Sequence, residues 1–282
     1  MKKLTFIVLA LLVFVACDDK KDYLVKIKTE HGDMTVLLYN ETPLHKKNFL
    51  ELAKEGRYDS TIFHRISDNF MIQGGDVATK EGKREDPSDR IPAEIVEGFY
   101  HTKGALAAAR QGDQVNPEKK SSSTQFYIVD GQSWAELSTD INQLYGKMVE
   151  MLQDTTNREL IEEYTPVYAS RDQKKIMDFI FSKKGMIEEK FGISLSKSPV
   201  TDNDELYEKM GGGYPSLDGE YTVFGRVVEG LDIVDKIASL PAKRNPQTGE
   251  KSMPLEPIPL TMEVIEMKKK EVTELYGYEY PE

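Results

Sequence analysis

Cysteine is almost missing from these 282 residues: Cys17 is the only one. A single thiol cannot close an internal disulfide, so the fold must hold without cross-links. Histidine is nearly as scarce, and His31, His45, His64 and His101 stand too far apart to show a metal-ligand spacing. Neither a glycine-rich phosphate loop nor a serine-triad motif occurs, so nothing points to phosphoryl transfer or serine hydrolysis. Long apolar runs are lacking too. The longest, Leu4 to Ala16, is apolar apart from Thr5 and covers thirteen residues, against the roughly 20 that a bilayer span needs. No basic stripe is present either. Acidic residues outnumber basic ones 48 to 37, for a net charge of -11, which argues against nucleic acid as a partner. The charge reads as a well-solvated acidic surface. No internal repeat is visible, and the length allows one large domain or two small ones with a sizeable core.

What is there begins with Lys2-Lys3 ahead of the short apolar run. That is the pattern of a secretory signal, spanning residues 1–16. The run ends in Phe14-Val15-Ala16-Cys17, which resembles a bacterial lipobox. The resemblance implies cleavage before Cys17, lipidation of that cysteine, and a charged tether over 17–22. Phe14 departs from the leucine usual at its position, and an ordinary signal with an incidental cysteine is the alternative. The expected place is the bacterial cell envelope, anchored to a membrane and facing periplasm or exterior.

From Tyr23 onward, period-two runs prevail. Val25 and Ile27 alternate with lysines, His31-Gly32-Asp33 breaks the run, and Met34, Val36 and Leu38 resume it, which predicts a hairpin. Thr42-Pro43 supplies an N-cap and a first-turn proline. The helix that follows carries Phe49, Leu52 and Ala53 on one face and stops at Gly56. Strands are expected over 61–66, 104–109, 125–129 and 222–228, a second helix over 231–239, and a closing strand through Leu260, Met262 and Val264. Many short strands with two helices indicate a closed β-barrel with helical caps.

One segment is more specific than the rest. Phe63-His64-Arg65, four residues, then Phe70-Met71-Ile72-Gln73-Gly74-Gly75-Asp76 closely resembles the signature of the cyclophilins, the peptidyl-prolyl isomerases. Ser123-Thr124-Gln125-Phe126-Tyr127-Ile128 and Leu217-Asp218-Gly219-Glu220-Tyr221-Thr222-Val223-Phe224-Gly225 resemble two further blocks of that family. The resemblance implies a mainly β fold, a closed eight-stranded antiparallel barrel with a helix at each end. It is interrupted. About eighty residues, 135–214, separate blocks that typically lie close together. Within them Ile141, Leu144, Tyr145, Met148 and Leu152 form an apolar stripe at helical spacing. Leu160-Ile161-Tyr164, Ile176-Ile180 and Met186-Ile187-Phe191 suggest further helices, so the stretch reads as a helical subdomain rather than a loop. The organisation expected is 23–134 and 215–267 for the barrel, 135–214 for the insertion, and 268–282 for a C-terminal tail.

The uncatalysed X–Pro flip crosses a barrier of about 20 kcal/mol, because the amide C–N bond has partial double-bond character. No nucleophile is needed; the protein must bind the twisted state better than either planar one. By resemblance Arg65 supplies the N–H donors for the twisted imide, staying protonated throughout. Gln73 would orient the arginine and hold the substrate backbone. Phe70, Met71, Tyr127 and Leu217 would form the socket for the proline ring, Ala109 and Arg110 the binding edge, and Tyr221 a polar tip in place of the usual histidine. Arg110 replaces a common asparagine and adds charge where the peptide would lie. Ser216 stands where many eukaryotic members carry the tryptophan that contacts cyclosporin, and the only tryptophan, Trp134, is placed near that site by strand counting. Weak cyclosporin binding is expected. The resemblance implies action on proline-containing polypeptides without cofactor, assisting protein folding, and a monomer is expected. The alternative is a proline-binding module or chaperone with little turnover.

Overall fold

The computed structural model describes residues 20–280, so the signal-like segment and Cys17 lie outside the described residues. The alternating runs fold as a hairpin of β1 (Lys21–Thr29) and β2 (Gly32–Leu38), which pairs Val25 with Val36 and Ile27 with Met34. Since β1 starts at Lys21, the end of the expected tether is already strand. Asp22 is buried there and lies 2.5 Å from the Lys46 ammonium.

Helix α1 (Pro43–Lys54) turns Phe49, Leu50, Leu52 and Ala53 inward. Its cap differs from the sequence reading. The Thr42 hydroxyl makes no capping bond; the Glu94 carboxylate instead accepts from the free N–H groups of Leu44 and His45 at 3.1 and 3.0 Å. An anion is favoured at that end by the orphan donors and the helix dipole.

The strand expected over 61–66 is broken into β3 (Thr61–Ile62) and β4 (Arg65–Ser67). A turn leads to β5 (Met71–Gly74), a short helix α2 (Val77–Lys80), β6 (Ala105–Ala108) and β7 (Phe126–Val129). After the insertion come β10 (Val223–Glu229) and β13 (Pro259–Lys268). Among the described residues these make one nine-stranded antiparallel sheet in the order β3-β13-β1-β2-β10-β6-β7-β5-β4. The expectation of a closed eight-stranded barrel is corrected: the sheet is a curled, open half-barrel. The reason is local. Phe63 gives its N–H to Ile258 and His64 gives its own to Gln73, so the chain crosses from one sheet edge to the other without a ladder to join them.

Val25, Ile27, Val36, Phe63, Ile72 and Phe126 are among the core residues inside the curl. Helix α1 packs against β1 and β13, and α9 (Leu231–Ala238) packs against β2, β4 and β5. Phe126 meets Phe49, Tyr58 and Phe63 edge-to-face, the geometry aromatic quadrupoles favour.

Between β7 and β10 the chain leaves the sheet. There β8 (Gln132–Ser133) pairs antiparallel with β9 (Gly212–Gly213), holding the two ends of the excursion together. The intervening helices are α3 (Trp134–Leu137), α4 (Ile141–Gln153), α5 (Arg158–Ala169), α6 (Gln173–Ser182), α7 (Lys184–Phe191) and α8 (Asp204–Lys209). Leu144, Met148, Met151, Ile176, Ile180 and Ile187 belong to a core of their own. On α4 the buried stripe runs through Met151, and Tyr145 is half exposed. A separate hairpin, β11 (Ala242–Arg244) and β12 (Lys251–Pro254), precedes β13. The segment read as a tail carries helix α10 (Lys269–Tyr276), whose Val272 is buried against Leu24 and Leu37.

Candidate active site

Antiparallel pairing places Arg65 on β4 opposite Gln73 on β5, and Gln73 opposite Tyr127 on β7. The turn joining β4 to β5 is held from below. Buried Asp130 accepts the Asn69 N–H at 2.6 Å, and the Phe70 carbonyl accepts from the N–H groups of Asp130 and Gly131. These bonds set the backbone from which Phe70 projects. Past β5, Gly75 has φ +80°, and a Cβ there would lie 2.7 Å from the Phe126 ring, so only glycine lets the chain turn so close to that ring.

All nine pocket residues expected from the sequence line one depression of about 90 Å³. Arg65, Phe70, Met71 and Gln73 come from β4, β5 and their turn. Ala109 and Arg110 follow β6, Tyr127 lies on β7, and Leu217 and Tyr221 come from the approach to β10. The volume suits one small side chain, well short of the ~300–1,000 Å³ of drug-sized ligand sites. Two larger clefts of about 630 and 680 Å³ are lined mostly by polar and charged side chains and offer no comparable apolar socket.

The polar contacts depart from the sequence reading in three places. Gln73 does not orient Arg65; its amide donates to the Gln125 side chain at 3.0 Å. Arg65 is tied instead to Glu250, Nη2 to Oε2 at 2.8 Å, and its Nε is buried without a partner. The Arg65 guanidinium carbon also stands 5.4 Å from the centre of the Phe70 ring. Arg110 does not leave a free charge on the binding edge. Its guanidinium bonds the Asp113 and Glu220 carboxylates and the Glu220 carbonyl, and lies over the Tyr221 ring at 4.5 Å. Trp134 opens helix α3 and is not part of the pocket lining.

Two buried titratable groups sit at the edges of this frame. Burial drives the Tyr127 phenol well above its ordinary pKa. Burial beside the Asp235 carboxylate pushes Asp130 up to about 7, against the opposing pull of Lys103. Among the described residues no group of three His, Cys, Asp or Glu side chains is placed to hold a metal ion. Gln125 lay within a block recognised in the sequence, but Glu250 follows Arg65 by 185 residues and carries no local signal.

The family model described as cyclophilin type peptidyl-prolyl cis-trans isomerase matches residues 24–167 and 184–262, most of the chain. The chain is a cyclophilin. A Streptococcus pyogenes protein, named for both a phosphatase and a peptidyl-prolyl cis-trans isomerase, is 44% identical over 107 residues, 37% of this chain and 22% of that one. A Staphylococcus saprophyticus protein named as a peptidyl-prolyl cis-trans isomerase is 27% identical over 241 residues, 84% of this cyclophilin and 89% of that protein. This cyclophilin thus spans about a fifth of the first relative's length and most of the second's. The crystal structure of a Cryptosporidium parvum cyclophilin type peptidyl-prolyl cis-trans isomerase superposes over 89% of this chain and 99% of its own, with TM-score 0.50 and 18% identity. That likeness supports the fold alone.

Proposed function

We propose that this cyclophilin accelerates cis–trans isomerisation of X–Pro bonds in proline-containing polypeptides outside the cytoplasm, assisting their folding. The observation that carries this reading is the placement of the Arg65 guanidinium beside an apolar socket of side-chain size, built by Phe70, Met71, Tyr127 and Leu217. The socket holds the proline ring while the chain on either side lies across the pocket rim. Rotation about the C–N bond turns the imide nitrogen pyramidal and restores its lone pair. Arg65 then donates to that nitrogen, an interaction the planar states lack, so the twisted state is bound more tightly than the ground states. Gln73, held by Gln125, is available to the substrate backbone. The reaction uses no nucleophile and no cofactor.

The lipobox-like Phe14-Val15-Ala16-Cys17 supports attachment to a membrane by lipid at Cys17. Among the described residues no helix is long and apolar enough to cross a membrane. Cys17→Ser should move the protein from the membrane to the soluble fraction.

The deciding experiment is a protease-coupled assay on a proline tetrapeptide with the wild type and Arg65→Ala. The variant should lose at least about tenfold in kcat/KM, the scale of one transition-state donor. Undiminished activity in a folded variant would remove the mechanism. A wild type that binds the peptide without turnover would instead favour a chaperone-like role.

A further inference from the structure

The insertion reaches the pocket through a part-buried chain of hydrogen bonds. Tyr207 on α8 is fully buried and donates its hydroxyl to Asp218 Oδ2 at 2.6 Å. Asp218 Oδ1 accepts the His101 backbone N–H at 2.7 Å and lies 3.1 Å from His101 Nδ1. His101 is wholly buried, and its Nε2 is 2.9 Å from the Tyr127 hydroxyl. Tyr127 is a wall of the pocket. We propose that Tyr207 is a positioning residue through which the insertion sets the proline socket, acting on Tyr127 by way of Asp218 and His101. The inference rests on the isomerase reading above and gives the insertion a part in it.

Counting protons explains how such a chain would work. An ionised carboxylate only accepts, so Asp218 draws hydrogen to His101 Nδ1. In a neutral imidazole Nε2 is then the acceptor, and Tyr127 must donate to it. The phenol is thereby locked, its hydrogen turned inward and its ring edge-on to Tyr221, with centroids 5.9 Å apart and planes at 87°. The Tyr207 hydroxyl is the donor that occupies Oδ2 and keeps the carboxylate from turning. Without it the carboxylate is held through Oδ1 alone and can swing, which loosens its grip on His101 Nδ1 and lets the Tyr127 hydroxyl reorient.

The backbone leaves this chain little slack. The Tyr214 N–H bonds the His101 carbonyl at 2.7 Å, and the Lys103 N–H bonds the Gly212 carbonyl at 2.9 Å. At Gly213, φ +151°, a Cβ would stand 2.3 Å from the His101 oxygen and 2.7 Å from the Tyr207 ring. Tyr214 also packs against Phe70, with ring centroids 4.5 Å apart. The return from the insertion is therefore pressed against His101 on one side and the socket on the other.

Satisfying its own buried hydroxyl could by itself explain the Tyr207 bond to Asp218, so the test must read the pocket. The full chain is compared with Tyr207→Phe, Tyr127→Phe and the double variant. Proline-tetrapeptide kinetics are measured alongside imidazole ¹⁵N shifts of His101. Tyr207→Phe should lower kcat/KM roughly three- to tenfold, the range of one hydrogen bond, and shift the His101 nitrogens toward mixed tautomers. The double variant should be no worse than Tyr127→Phe alone, as coupled sites require. Additive losses, or His101 shifts unmoved by Tyr207→Phe, would overturn the relay. If Tyr207→Phe fails to fold, Asp218→Asn carries the same comparison. If the wild type shows no turnover, the isomerase reading falls, and the His101 shifts with the peptide Kd still decide the coupling.

Discussion

Arg65 donates from Nη2 to the Glu250 carboxylate at 2.8 Å, tying the pocket's cation to the β11–β12 hairpin. The two side chains are 30% and 52% exposed, so the pair contributes at most about 1 kcal/mol to stability. Its consequence is for binding: a peptide that uses the guanidinium must compete with Glu250. Glu250→Gln should raise kcat/KM up to about fivefold at low ionic strength, with the gap closing as salt screens the pair. Stability should change by no more than about 0.5 kcal/mol. A fall in activity would show that Glu250 positions Arg65 rather than competing for it.

Asp130 makes stability depend on pH. Its carboxyl is raised from an ordinary value near 3.8 to about 7 by burial, with Asp235 adding to the rise. A raised carboxyl favours the folded chain while protonated, so its contribution is full below about 3.8 and is lost as pH climbs through about 7. Wild-type Tm should therefore fall between about pH 4 and 7 relative to Asp130→Asn. An asparagine retains an acceptor for the Asn69 N–H at this position. Parallel Tm curves for the two proteins would reject this account.

The insertion has its own core, so damage there should remain local. Leu144 is fully buried among Met148, Ile180 and Ile187. Leu144→Ala should destabilise by about 2–5 kcal/mol through lost burial and the cavity left behind. Hydrogen exchange should quicken over 141–191 while the amides of β1, β2 and β13 stay protected. Uniform loss of protection would mean that the insertion and sheet unfold as one unit.

Cyclosporin should bind weakly. Ser216 is exposed beside Leu217, Arg110 and Tyr221 close one edge of the pocket by stacking, and Trp134 is not part of the lining. Titration by calorimetry or inhibition of turnover would measure it. A nanomolar inhibition constant would contradict this view of the pocket.

Legibility in the sequence followed distance along the chain. Arg65 to Gln73 could be read because they fall within one contiguous block that carries the family resemblance, and one hairpin brings them together. Tyr127 and Leu217 were reached through short blocks whose spacing carries the family resemblance. The open edge of the sheet was not legible, since a break at Phe63-His64 depends on where two distant carbonyls, of Ile258 and Gln73, accept their N–H groups. The Glu94 cap on α1 escaped for the same reason: the side chain arrives from fifty residues away.

The amino-acid order alone determined the β1–β2 hairpin, the strands β6, β7, β10 and β13, the first helix, the helical character of 135–214 and, through the family motifs, the residues that gather at the pocket. Local periodicity and motif spacing encode these, because backbone geometry repeats every 2 or 3.6 residues. Tertiary structure alone decided what each polar group is bonded to: Arg65 to Glu250, Gln73 to Gln125, and Tyr207 through Asp218 and His101 to Tyr127. A hydrogen bond needs heavy atoms within about 3 Å, and a sequence does not show which remote side chains folding brings that close.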